Sequence, residues 1–109
     1  PSLDKMTFSC YASPSFASEV KRSGRKQIVL CGVEAHICVC QTALELTAAG
    51  FQVHVAGDAT SARTEANWRL GLDKMRQSGV LLTSAEMALY EWLREAGTPE
   101  FREILKLVK

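Results

Sequence analysis

The sequence predicts an α/β fold: the C-terminal half of a doubly wound, three-layer parallel sheet, with three strands and flanking helices in a single domain over residues 1–109. Three observations predict it. Short apolar runs alternate with longer segments of helical period. Each change of period is marked by glycine or by a capping residue. The links between segments are short, which favours right-handed crossovers between parallel strands.

Residues 1–15 are polar and aromatic without a helical period, and read as loop. A short helix follows over 15–23, where Phe16 and Val20 stand four apart, and Gly24 ends it. Residues 28–31 are continuously apolar between turn signals, the pattern of a central parallel strand covered on both faces. Ile37, Cys40, Leu44 and Ala48 recur at three-and-four spacing, so 36–49 reads as a helix stopped by Gly50. Residues 51–56 form the second strand, left at Gly57-Asp58-Ala59. Trp68, Leu72 and Met75 make the apolar stripe of a third helix over 64–78, before Gly79. Residues 80–82 are a short third strand. Thr83-Ser84-Ala85-Glu86 has the spacing of a capping box, with the Thr83 hydroxyl and the Glu86 carboxylate taking unpaired amides. The helix it opens runs to about residue 96 and closes at Gly97. Thr98-Pro99 starts one more, with threonine at the cap and proline in the first turn.

Three strands are half of an ordinary doubly wound domain. The 28–31 run has the composition of a sheet centre yet no partner upstream, so an N-terminal portion is expected to be missing. A bare strand edge and the apolar Tyr90/Trp92 helix both invite association, and a homo-oligomer is the expected state.

Composition narrows the partners. Thirteen basic against twelve acidic residues leave a net charge of +1, and Lys21-Arg22 and Arg25-Lys26 are interrupted clusters without aromatic neighbours. No nucleic acid is expected. No apolar run approaches the roughly 20 residues that span a bilayer, and residues 1–16 lack the charged-then-apolar layout of a signal peptide. A small-molecule substrate is expected, and no membrane. Of four cysteines, Cys31 sits in a predicted strand and Cys38 and Cys40 on one predicted helix rather than across loops, which points to free thiols in a reducing cytoplasm.

Parallel strands collect their C-terminal ends on one edge, where ligands bind. Those ends fall at Cys31-Gly32-Val33, Gly57-Asp58 and Leu82-Thr83, making Gly32, His36 and Asp58 pocket candidates. Cys38 follows the first end, in the opening turn of a helix. Unpaired amides and about half a positive charge there favour a thiolate and can hold an oxyanion. The alternative is a small buried hydrophobe. His36 reads as base, ligand or exposed cap, Asp58 as cap or ligand contact, and Lys5 on its own as a solvated charge. His36 and Cys40 share a helix face that Cys38 does not, and no second Cys/His pair follows, so neither a metal nor any other cofactor is expected.

Residues 28–39, Ile-Val-Leu-Cys-Gly-Val-Glu-Ala-His-Ile-Cys-Val, resemble the strand–turn–cysteine signature of the isochorismatase-like cysteine hydrolases. The segments 58–63, 75–87 and 96–101 are similar to later steps of that family, and 5–9 to its lysine loop. The resemblance covers nearly the whole chain. It implies a Rossmann-like sheet and an aspartate–lysine–cysteine triad, with Cys38 as nucleophile and Lys5 as the cation beside it. It also implies a cis peptide between Val33 and Glu34, and an oxyanion hole formed by the Glu34 and Cys38 amides. The implied activity is cleavage of a small amide or related C–N bond through a thioester on Cys38.

One departure matters. The family's triad aspartate lies on a strand upstream of the lysine loop, and no such motif precedes Lys5 here; Asp4 does not take that place. The region that holds zinc in some members is absent as well. The chain therefore resembles the C-terminal three-fifths of a member, with weak or no activity of its own expected. The alternatives are a non-catalytic truncated paralogue or assembly module, and a thiol redox or metal protein.

Overall fold

Three parallel strands in the order β1-β2-β3 organise residues 2–108, which the computed structural model describes. The elements run α1 (Pro14–Ser23), β1 (Gln27–Val33), a π-helical turn (Ala35–Val39), α2 (Cys40–Ala48), β2 (Gln52–Ser61), α3 (Glu65–Gln77), β3 (Leu81–Thr83), α4 (Ala85–Leu93) and α5 (Pro99–Val108). A 3-10 turn, Cys10–Ala12, lies in the segment read as loop. Parallel pairing requires a crossover between neighbours. Here the π-turn with α2, and then α3, supply the two crossovers.

The core lies on one face of the sheet. Val53 and Val55 of β2 point into it and pack with Leu46, Met75 and Val80, while Ile28 and Leu30 of β1 close its edge. The expectation that β1 is covered on both faces fails among the described residues. Its burial alternates: Ile28, Leu30 and Gly32 are half-buried, whereas Gln27, Val29, Cys31 and Val33 are exposed. The reason is topological. β1 is an edge of this sheet, and α2 and α3 both lie against its other face.

β2 is longer than its apolar run. Leu30 pairs with Val55 but Gly32 with Thr60, so β2 bulges outward over 56–59 before rejoining β1 at Thr60 and Ser61. The Thr60 hydroxyl ties the bulge by donating to the Gly57 carbonyl at 2.8 Å, and the Trp68 indole N–H donates to the same hydroxyl at 3.1 Å. Local patterning ends the strand at residue 56 because this return is held by distant partners.

Two caps differ from expectation. β3 runs through Thr83, so Ser84 is the residue with extended backbone at the start of α4, and its hydroxyl accepts from the Met87 amide at 3.0 Å. The capping pattern is displaced by one position. α4 also stops at Leu93 rather than near 96, where Arg94 takes a left-handed φ of 68°. The reversal returns α5 onto α4, with Phe101 edge-on to Tyr90 at 6.1 Å. Trp92 is left 66% exposed.

Candidate active site

The end of β1 delivers the chain into a turn that carries Cys38. The Val33–Glu34 peptide is cis. Cys38 does not lie in the first turn of a regular α-helix, as its sequence suggests, but in the wider π-helical turn before α2. Such turns recur at functional sites. Glu34 caps it: its carbonyl accepts from the amides of Ile37 at 3.1 Å and Val39 at 3.2 Å, on either side of Cys38.

Lys5 reaches this turn across 33 residues of sequence, its Nζ standing 3.6 Å from Cys38 Sγ. The same ammonium donates to the Thr7 carbonyl at 2.7 Å. The loop that carries it is anchored to α2, because the Cys10 amide donates to the hydroxyl of buried Thr42 at 2.8 Å. Sequence reading passed over Thr42, since a threonine inside a helix has no distinctive pattern. A hollow of about 320 Å3 adjoins Lys5, with walls that include Thr7, Ser13 and Pro14. Among the described residues no carboxylate is hydrogen-bonded or ion-paired to Lys5 or Cys38.

The remaining candidates are dispersed. Asp58 is occupied structurally, its Oδ1 accepting from the Ala85 amide at 2.9 Å, so it ties the β2 bulge to the start of α4. Gly32 pairs with Thr60, and its φ of 113° suits a residue without Cβ. Val33 is 67% exposed beside it. His36 Nδ1 is buried without a hydrogen-bond partner among the described residues. The His36 backbone lies against Gly71 of α3, where an added Cβ would stand 2.9 Å from its Cα. Gly71 is a second residue missed, although a glycine inside a helical stripe is itself a packing signal.

A third missed residue is Arg63. Its Nε donates to Glu34 Oε1 at 2.9 Å and its backbone N–H to Glu34 Oε2 at 3.0 Å. It lies just past β2, in a stretch that reads as ordinary turn.

All four cysteines are free. Cys40 is the counterpoint to Cys38, only 4% exposed in the core; burial pushes its thiol above the ordinary value, and Lys74 only partly opposes this. Among the described residues no three His, Cys, Asp or Glu side chains are grouped to hold a metal ion. Nor is any helix there long and apolar enough to cross a membrane. A cleft of about 890 Å3 lies on the open sheet face between Val29, His54 and Trp92, and none of the predicted site residues lines it.

Residues 1–87 match the family described as Isochorismatase domain. The secreted isochorismatase effector Isc1 of Phytophthora sojae is 43% identical over 113 residues, covering 98% of this chain and 51% of that protein. The structure of the MAR1 ribonuclease from Caenorhabditis elegans superposes with a TM-score of 0.86 at 33% identity, covering 96% of this chain and 53% of the other. The zinc complex of pyrazinamidase from Pyrococcus horikoshii superposes at 0.68 and 27% identity, over 74% of this chain and 45% of that one. The chain thus spans about half the length of these relatives, and a match over most of its residues shows that it belongs to the isochorismatase family.

Proposed function

We propose that the chain is the nucleophile-bearing part of a cysteine hydrolase that opens a small amide or related C–N bond through a thioester on Cys38. The observation that carries this reading is the 3.6 Å approach of the Lys5 ammonium to the Cys38 sulfur. A cation at that distance stabilises the negative charge that develops on the substrate oxygen as the sulfur attacks. The thiolate attacks the carbonyl carbon, and the C–O π electrons move to oxygen. The Glu34 and Cys38 amides and Lys5 steady that oxyanion. On collapse the C–N bond breaks and the amine departs with a proton taken from solvent water, leaving an acyl-cysteine; water then adds to the thioester, the C–S bond breaks, and the acid and the Cys38 sulfur are released.

Both halves of this cycle call for a group that moves a proton, to the departing amine and from the attacking water, and among the described residues no carboxylate pairs with Lys5 or Cys38. With an aryl ester, whose leaving group needs no proton, acylation is expected to outrun hydrolysis, so that the acyl-enzyme accumulates. No step draws on a cofactor. The free thiols suit a reducing, cytoplasmic setting, although the Phytophthora relative is named as secreted. The unpaired side of β1, with Val29 and Val33 exposed, supports self-association.

Intact-mass analysis after incubation with aryl esters and small aromatic primary amides tests the reading. One acyl group is expected on Cys38, absent in Cys38→Ala. No adduct, or an adduct that persists in Cys38→Ala, supports the non-catalytic assembly module instead. Cleavage of a short RNA by the wild type and by Cys38→Ala alike would transfer the reading to the chemistry in the nematode relative's name.

A further inference from the structure

The turn that carries Cys38 is held from outside by one residue that the thiol chemistry does not itself require. Glu34 occupies its entrance, with the carbonyl engaged by the Ile37 and Val39 amides at 3.1 and 3.2 Å. Those amides flank Cys38, so the angle at which Glu34 sits sets the angle at which the sulfur is presented. The Glu34 carboxylate is in turn gripped at two points by Arg63, through Nε at 2.9 Å and the backbone N–H at 3.0 Å. Two contacts on two oxygens stop the carboxylate rotating, which one contact does not.

We propose that Arg63 is a positioning residue for the Cys38 nucleophile, holding the π-turn in register with Lys5 through its clamp on Glu34; this rests on the thiol chemistry proposed above. The exposures argue for position over stability. The Glu34 side chain is 24% exposed but that of Arg63 is 81% exposed, and pairs with a solvated partner contribute little to folding. Arg63 also lies at the right place to act as a brace. β1 and β2 rejoin at Gly32↔Thr60 and Val33↔Ser61, which brings Arg63, two residues past β2, within reach of Glu34, the residue just past β1. A sub-ångström error in presenting a nucleophile costs far more in rate than in stability.

The test is the iodoacetamide reaction rate of each cysteine, read by peptide mass spectrometry, in wild type, Arg63→Ala, Arg63→Lys and Glu34→Gln. Arg63→Ala is expected to slow Cys38 about tenfold. It should leave Cys31 and Cys40 at their wild-type rates and the urea midpoint in place. Arg63→Lys keeps a cation and the backbone N–H contact but lacks Nε, and should recover part of the loss. Glu34→Gln weakens the same clamp from the other side and should slow Cys38 even if Arg63→Ala does not fold. An unchanged Cys38 rate in Arg63→Ala or Glu34→Gln, with wild-type Cys38 fast, overturns the positioning role alone. A parallel rise at Cys40 would show a loosened fold, and would also overturn it. Wild-type Cys38 reacting no faster than Cys31 overturns the thiol chemistry, and the positioning role with it.

Discussion

Gly71→Ala is expected to destabilise the fold by about 1–2 kcal/mol, against the usual direction of that substitution inside a helix. Replacing glycine with alanine in a helix interior ordinarily gains about 1 kcal/mol. Here the new Cβ would lie 2.9 Å from His36 Cα and 3.1 Å from both its N and its Cβ. The obstruction is largely backbone, which has no rotamer to change, and overpacking of that kind costs about 1–3 kcal/mol. The clash outweighs the propensity gain. Relief requires α3 and the π-turn to separate, and Cys38 sits two residues beyond His36 on that turn. Urea unfolding checks the sign, and a more stable variant would show that the turn yields freely.

Lys5→Met is expected to slow acylation and alkylation of Cys38 about fivefold while leaving the unfolding midpoint where it was. At a spacing near 4 Å a unit charge pair is worth about 1 kcal/mol in water and several times that in a less polar setting. Lys5 is exposed, so the lower end applies. Its substitution removes no core contact, which separates chemistry from stability. Stopped-flow alkylation at neutral pH reads the rate, and parity between wild type and Lys5→Met would remove the ammonium from the mechanism.

The elements that sequence reading placed well are those whose signals are local. Helical stripes such as Trp68, Leu72 and Met75, and stops such as Gly24 with its φ of 70°, depend on neighbours within a few residues. What it misplaced depends on distant partners. The return of β2 past residue 56 is held by Thr60 and by Trp68 of the next helix. The α4 cap moved to Ser84 because pairing with β2 extends β3 through Thr83. Asp58 reads equally as ligand contact or cap, and only the fold brings it within 2.9 Å of the Ala85 amide.

The candidate site divides in the same way. Cys38 is conspicuous because a strand, a glycine and a helix meet at it. Lys5 has no local signature, and family resemblance alone singled it out; the structure sets it 3.6 Å from the sulfur. Arg63 and Thr42 act across 29 and 32 residues of sequence, through side-chain contacts that no periodicity encodes.

Site-resolved alkylation of the native wild-type protein tests the central claim most directly. With a limiting pulse of iodoacetamide, Cys38 is predicted to label first although it is half-buried, ahead of exposed Cys31, with core-buried Cys40 last. An order that simply follows exposure, Cys31 first and Cys38 among the rest, would contradict the account: the sulfur beside Lys5 would then be an ordinary thiol.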